Sequence, residues 1–225
     1  MRYFLVFIFM LFIVGCSSNE VQRNHNIDET TIEEDNIIEN QTTIVAFGDS
    51  LTEGLGVERK DAYPSQLEMR LAELGYEVRV FNSGYSGETT TGALNRVDWV
   101  LSLNPDIVIL TTGANDAMRG IDLSITKSNI ANIIEKFQSN NVTLILSGMK
   151  IFENLGEEYI TEFENIYPAL AEEYNISFIP LFLEGVEANS SLNNDDQIHP
   201  NKEGYSIIVE NNILPVLIPV LERFE

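Results

Sequence analysis

The chain has 225 residues, enough for one domain of ordinary size with extra segments at its ends. Apolar residues make up 44% of it, which is sufficient for a complete hydrophobic core. The formal net charge of −22 excludes nucleic acid and anionic lipid as partners bound by charge, because those polyanions would be repelled.

The first predicted element is an export signal. Arg2 precedes an uninterrupted apolar run, Tyr3–Val14, which is shorter than the roughly 20 residues of a transmembrane helix but suits the apolar core of a signal peptide. The run leads into Ile13-Val14-Gly15-Cys16, which resembles a bacterial lipobox, where cleavage before the cysteine leaves a lipidated N-terminus. We therefore expect residues 1–15 to be a lipoprotein signal peptide and Cys16 to anchor an extracytoplasmic protein on the bacterial cell membrane. The alternative is an ordinary signal peptide.

A polar, acidic segment follows the signal, from Ser17 to about Thr42. Its isoleucines are isolated and form no sustained apolar stripe, so we expect residues 16–42 to be a disordered tether. A short acidic helix over Glu29–Glu39 is the alternative. Because Cys16 is the only cysteine, the rest of the chain offers neither a catalytic thiol nor a disulfide.

Residues 43–225 alternate strand-like apolar runs with amphipathic helical stripes. The predicted strands are Ile44–Phe47, Val78–Asn82, Asp106–Thr112, Val142–Ser147 and Ile176–Pro180. Apolar spacing predicts helices between them, including one over Thr90–Leu103, and a last helix that begins near Lys202 and bends near Pro215. The alternation predicts one α/β domain, a three-layer α/β/α sandwich around a five-stranded parallel sheet.

Polar and glycine-rich loops follow four of the five strands, at the edge where the carboxyl ends of parallel strands meet. Ser50 follows the first strand, where capping a helix is the ordinary role of a serine. Gly87 lies in a turn after the second strand and Asn115 follows the third, and such residues are common in turns and caps. Asp196 and His199 follow the fifth strand. If these residues had only structural roles, four separate explanations would be needed for four loops that meet at one edge of the sheet. The shared position of the four loops instead predicts a catalytic site.

A serine nucleophile needs a base, the base needs an orienting acceptor, and the oxyanion needs N–H donors. His199 is the only histidine in residues 43–225, so an imidazole base there must be His199, and Asp196 could orient it through a local turn. The oxyanion donors would be Ser50 N–H, Gly87 N–H and the Asn115 side chain. One histidine and no cysteine in the domain argue against zinc, and we expect neither a metal nor a cofactor.

These residues resemble the GDSL or SGNH hydrolases over the whole of residues 43–225. The four marker blocks of that family are matched by Gly48-Asp49-Ser50-Leu51, Gly87 in Ser86-Gly87-Glu88, Gly113-Ala114-Asn115-Asp116 and Asp196-Gln197-Ile198-His199. Met118-Arg119-Gly120 resembles the bacterial arylesterase, thioesterase and lysophospholipase branch. The resemblance implies a flavodoxin-like SGNH hydrolase fold, a triad of Ser50, Asp196 and His199, and an oxyanion hole of Ser50, Gly87 and Asn115.

We therefore expect a monomeric serine esterase that forms an acyl-enzyme on Ser50 with His199 as base. The expected substrates are small aryl and short-chain esters and lysophospholipids, with thioesters secondary because acyl-CoA is cytoplasmic. An O-acetylesterase acting on polysaccharide or peptidoglycan is one alternative. A non-catalytic lipoprotein that binds a ligand in the same cleft is another, although such a protein would not need the base and its orienter.

Overall fold

The computed structural model describes residues 41–151 and 155–224. The predicted signal peptide, Cys16 and nearly all of the predicted tether lie outside these residues. Five strands form one sheet: β1 Thr42–Gly48, β2 Val78–Gly84, β3 Ile107–Thr111, β4 Thr143–Ser147 and β5 Ser177–Ile179. They pair in parallel in the order β2-β1-β3-β4-β5. In this flavodoxin-like order, ligands bind where the strand order reverses, at the carboxyl ends of β1 and β3.

The helices of the described residues connect these strands. They are α1 Ser50–Glu53, α2 Tyr63–Glu73, α3 Thr90–Asn95, α4 Val97–Leu101, α5 Ala114–Met118, α6 Leu123–Ser139, α7 Glu157–Glu173, α8 Lys202–Ile207 and α9 Leu214–Leu221. A 3-10 turn, Arg59–Asp61, precedes α2, and a π-helical segment, Ile208–Ile213, joins α8 to α9. Every predicted strand is present and ends within two residues of its expected limits. The predicted α/β fold is confirmed.

The two central strands carry the core. Ile44–Phe47 of β1 and all of β3 are buried, which explains why neither run alternates apolar with polar residues. Phe47 packs edge to face against Phe137 of α6, with ring centroids 6.0 Å apart. Because this core fixes the carboxyl ends of β1 and β3, it also fixes the starts of α1 and α5, which carry Ser50 and Asn115.

The single helix predicted over Thr90–Leu103 is wrong. The chain forms two short helices, α3 and α4, separated at Arg96, whose backbone angles are φ −111° and ψ 10°. The apolar stripe continues through the break, and this continuity is why the pattern predicts one helix. At the break the Arg96 guanidinium reaches away from the helices and binds Glu88 and the end of β1.

The C-terminal helix is interrupted, as predicted, just before Pro215. Its π-helical segment presents Asn212, whose side chain donates to the carbonyl oxygens of Phe182 (2.9 Å) and Glu184 (3.1 Å). These bonds fasten the start of the long loop that follows β5. The span Lys202–Leu221 is long and apolar enough to cross a membrane by composition, but its most apolar 18-residue window is 56% buried within the domain. Its packing is that of a core helix.

Candidate active site

Ser50 is the first residue of α1, immediately after the carboxyl end of β1. The cap of α1 is Asp49, whose carboxylate accepts the N–H of Leu51 at 3.0 Å. The Ser50 hydroxyl is therefore not used as a cap, and the ordinary structural role weighed for it is wrong. Its Oγ lies 2.8 Å from Nε2 of His199.

His199 and Asp196 lie on the loop between β5 and α8. The ring Nδ1 is 2.7 Å from Asp196 Oδ2, while Asp196 Oδ1 accepts the backbone N–H groups of Ile198 (2.9 Å) and His199 (3.0 Å). A carboxylate beside Nδ1 favours the tautomer with the proton on Nδ1. The lone pair of Nε2 then faces the Ser50 hydroxyl, so His199 can take the serine proton while Asp196 holds the ring in place.

The surroundings of Asp196 keep its carboxylate ionised. Burial raises the pKa of Asp196, but the N–H groups of His199 and Ile198 and the hydrogen bond to the His199 ring outweigh burial and lower this pKa to about 2. An ionised carboxylate at this position can stabilise the positive imidazolium that forms when the ring accepts a proton.

Asn115 lies in α5, and its side chain points to Asp49, the residue before Ser50. Its Nδ2 donates to Asp49 Oδ2 at 3.3 Å, which leaves the second N–H of the same amide available to a ligand. Asp49 is buried, and burial raises its pKa to about 6, against the lowering effects of the Leu51 N–H, His199 and Asn115. The contact with Asp49 fixes which way the Asn115 amide points, a role that sequence reasoning missed.

Gly87 has φ +76°, in the left-handed region that favours glycine. Its carbonyl oxygen accepts a hydrogen bond from Arg119 Nη2 at 2.6 Å. The neighbouring Ser86 donates its backbone N–H (2.9 Å) and its hydroxyl to the Glu53 carboxylate. Across residues 41–151 and 155–224, neither Gly87 N–H nor Ser50 N–H donates to a protein acceptor, so both can serve a ligand.

Asn194 joins the loop between β5 and α8, called here the histidine loop, to the segment that follows α1, called here the serine loop. Its side chain donates to the carbonyl oxygens of Leu55 (3.3 Å) and Pro200 (3.2 Å), and its N–H donates to His199 O (2.8 Å). Gly56 has φ +90°, and a Cβ there would lie 2.5 Å from Asn194 Nδ2, so a side chain would push the loops apart. The sequence offered no signal for this contact, since it spans 139 residues.

The structure thus brings Ser50, Asp196 and His199 into one hydrogen-bonded chain, and Asn115 contacts the residue before Ser50. This arrangement can deliver a serine oxygen to an electrophilic carbonyl carbon and accept the serine proton. Within the described part of the chain, no three histidine, cysteine, aspartate or glutamate side chains are grouped as metal ligands.

The model of the GDSL-like lipase/acylhydrolase family matches residues 46–207, more than half of the chain. The chain belongs to this family. Esterase TesA of Pseudomonas aeruginosa is 32% identical over 180 residues, which cover 80% of this chain and 89% of that protein. The arylesterase of Vibrio mimicus is 33% identical and is covered to 84%, against 74% of this chain. The thioesterase 1/protease 1/lysophospholipase L1 of Escherichia coli is 29% identical, with 75% and 80% covered.

Solved structures of the family agree with this fold. The crystal structure of TesA superposes with a TM-score of 0.76 at 32% identity, covering 80% of this chain and 99% of that one. AlinE4, described as an SGNH-hydrolase family esterase, gives a TM-score of 0.67 at 34% identity, with 81% and 96% covered. This GDSL-family chain is therefore a serine esterase, an enzyme that hydrolyses ester bonds.

Proposed function

We propose that this esterase works through an acyl-enzyme on Ser50, with His199 as general base and Asp196 as the group that orients it. The observation that carries the proposal is the hydrogen-bonded chain from Ser50 Oγ through both ring nitrogens of His199 to the Asp196 carboxylate, with contacts of 2.8 and 2.7 Å. Such a chain supplies a nucleophile, a base and the orientation of the base in one unit.

In the acylation step, Ser50 Oγ attacks the ester carbonyl carbon while His199 Nε2 takes the hydroxyl proton. The carbonyl oxygen becomes negatively charged, and the N–H groups of Ser50 and Gly87 and the free amide N–H of Asn115 would stabilise it. Asp196, ionised next to Nδ1, balances the charge of the imidazolium. The intermediate then collapses, the ester C–O bond breaks, and the imidazolium returns its proton to the leaving alkoxide.

Deacylation repeats these steps with water as the nucleophile. His199 takes a proton from the water as the water attacks the acyl-enzyme, and the same three donors hold the second oxyanion. When the intermediate collapses, Ser50 Oγ recovers the proton from Nε2 and the carboxylic acid departs. Each step uses the same contacts, so one geometry serves both halves of the reaction.

We propose aryl and short-chain esters and lysophospholipids as the substrates. This proposal is supported by the relatives of this chain, which are named arylesterase and lysophospholipase L1, together with the proposed position at a membrane. Thioesters are a weaker candidate despite the thioesterase name of one relative, because acyl-CoA lies on the cytoplasmic side.

The first experiment compares the full chain in detergent with its Ser50→Ala variant on p-nitrophenyl esters from acetate to palmitate. We expect kcat to fall about 10⁴-fold or more in the variant, because the nucleophile is lost. The exposed Ser102→Ala variant, at the end of α4, is the matched control and should keep full activity. A wild-type profile confined to acetate would favour the O-acetylesterase. A folded wild type without esterase activity would contradict the proposal.

We also propose that the mature protein is held outside the cytoplasm by a lipid on Cys16. The support is the sequence Ile13-Val14-Gly15-Cys16 directly after an apolar run, followed by a polar segment that could span the distance to the domain. Attachment to the membrane would place the esterase beside lysophospholipids, which concentrate in bilayers.

Lipid attachment at Cys16 is tested by expressing the full chain in a bacterium that is fed radiolabelled palmitate. The wild type should carry the label and sediment with membranes, whereas Cys16→Ser should do neither, because the lipid is attached to the thiol. Esterase activity of the wild type in the membrane fraction and of Cys16→Ser in the soluble fraction is the control that both proteins are folded. An unlabelled, soluble wild type would indicate an ordinary signal peptide instead.

A further inference from the structure

The side chain of Arg96 gathers three segments around the proposed oxyanion hole. Its guanidinium donates to both carboxylate oxygens of Glu88, through Nε at 2.6 Å and Nη2 at 2.7 Å. It also donates to Ser83 Oγ (2.6 Å), Ser83 O (2.8 Å) and Gly48 O (3.1 Å). These contacts join the end of β1, the end of β2 and the loop that follows β2.

This ion pair is largely withdrawn from water. The Glu88 side chain is 7% exposed and that of Arg96 21%, and the guanidinium lies 4.4 Å from the ring centroid of Phe47. A paired, stacked guanidinium presents its N–H groups in a fixed plane, a geometry that the flexible ammonium of lysine does not reproduce.

The partners of Arg96 are adjacent in sequence to the groups that act on the ester. Gly48 precedes the Asp49-Ser50 pair, and Glu88 directly follows Gly87. Arg96 therefore ties the backbone that presents Ser50 to the backbone that presents Gly87 N–H. Tyr85 N–H also holds the start of this loop to Gly48 O (2.9 Å), and Arg119 and Glu53 hold Gly87 and Ser86. Arg96 adds the hydrogen bonds to the Glu88 carboxylate, next to Gly87.

We propose that Arg96 and Glu88 are positioning residues, which set the distance between the nucleophile Ser50 and the oxyanion donor Gly87 N–H. The inference rests on the proposed role of Gly87 and goes beyond it, because it assigns functions to two residues outside the triad and the oxyanion hole. We call Arg96 and Glu88, with their hydrogen bonds, the clamp. A displacement of about 1 Å in a catalytic group can lower the rate a hundredfold, so a loosened clamp lowers turnover while the site remains formed.

The test measures Arg96→Lys and Glu88→Gln on a p-nitrophenyl ester and on its thiono analogue, in which C=S replaces C=O. Sulfur is a weak hydrogen-bond acceptor, so the thionoester gains little from the oxyanion donors. We expect Arg96→Lys to lower kcat on the ester about 10- to 100-fold with little change in KM. The ester-to-thionoester ratio of kcat/KM should fall by about tenfold, and Glu88→Gln should move it in the same direction by less.

Arg70→Lys is the matched control, since Arg70 also pairs with two carboxylates, those of Glu73 (3.0 Å) and Glu210 (2.6 Å), on the surface of α2. It should leave the ratio unchanged. Equal losses on both substrates, or no loss, in Arg96→Lys would overturn the clamp, since a purely structural defect lowers both rates alike. If Arg96→Lys does not fold, the ratio in Glu88→Gln decides.

Ser50→Ala is measured in the same assay to separate this inference from the proposed function. An inactive Ser50→Ala combined with an unchanged ratio in Arg96→Lys would overturn the clamp alone. A Ser50→Ala variant that keeps activity would overturn the proposed function, and the clamp with it.

Discussion

The pKa values of two carboxylates of the site, Asp49 and Asp196, are shifted in opposite directions. Asp49 is buried beneath Ser50 and burial raises its pKa to about 6, whereas backbone N–H groups and the His199 ring lower the pKa of the more exposed Asp196 to about 2. Environments that separate the pKa values of neighbouring acids also separate their roles. Asp196 can hold charge beside the base, while Asp49 fixes the Asn115 amide and carries an electrostatic cost at neutral pH.

That cost leads to a prediction for stability. A folded-state pKa raised from 3.8 to about 6 means that the native state binds more protons than the unfolded chain between these values. The contribution of Asp49 to stability is therefore most favourable below about pH 4 and is lost as pH rises through about 6. We expect the free energy of unfolding of Asp49→Asn, relative to wild type, to increase by about 2 kcal/mol from pH 4 to pH 7.

Urea unfolding at both pH values measures this change, with Asp98→Asn at an exposed position as control. A difference between Asp49→Asn and wild type that is the same at both pH values would contradict a raised pKa at Asp49. At pH 7, activity is expected to fall in the same variant, because the Asn115 amide loses its anionic acceptor.

The residues of the site differ in how far the sequence could predict them. Ser50, Asp196 and His199 were predicted because a lone domain histidine and a serine at a strand end restrict the choice. The functions of Asp49 and Arg96 were not predicted, because they depend on burial and on partners that are distant in sequence. Gly48 O, for example, lies 48 residues from Arg96.

At the scale of elements, strands were predicted more closely than helix breaks. Buried parallel strands appear as continuous apolar runs, and β3 is such a run from end to end. The break between α3 and α4 lies within a continuous apolar stripe and coincides with the long-range contacts of Arg96, which no local pattern records. The loop carrying His199 likewise takes its position from side-chain bonds to other segments.

Asn194 makes the contact that determines how the histidine loop meets the serine loop. We expect Asn194→Ala to lose about 1–2 kcal/mol of stability, because the carbonyl oxygens of Leu55 and Pro200 lose a donor. We also expect kcat/KM to fall about tenfold, because His199 is held less closely to Ser50. Ester hydrolysis and thermal melting measure the two effects.

Asn140→Ala is the matched control, since Asn140 is exposed at the end of α6 and its side chain donates only within that turn, to Lys136 O. Its activity should equal that of the wild type. Full activity in Asn194→Ala would show that the two loops are aligned by other contacts, among them the bond between His199 Nε2 and Ser50 Oγ.

The whole molecule carries a formal net charge of −22. This net charge already includes the cations, several of which lie in ion pairs, as in Lys60–Glu58, Lys136–Asp98 and Lys202–Asp61. A field of this sign repels anionic substrates and attracts cationic ones before any contact forms. The charge thus acts on the approach of substrate, whereas the triad acts on the bound ester.

Salt should therefore change substrate preference. Raising the ionic strength from about 10 mM to about 150 mM shortens the Debye length from about 30 Å to about 8 Å. We expect kcat/KM to rise several-fold for an ester with a carboxylate in its acyl group, to change little for p-nitrophenyl acetate and to fall for a choline ester. Effects confined to kcat, or one salt response shared by all three esters, would mean that the charge acts on the folded site itself. A response that follows substrate charge and is confined to kcat/KM would show that the net charge acts on the association of enzyme and substrate. Screening weakens long-range attraction and repulsion, but it leaves the contacts between Ser50, His199 and Asp196 unchanged.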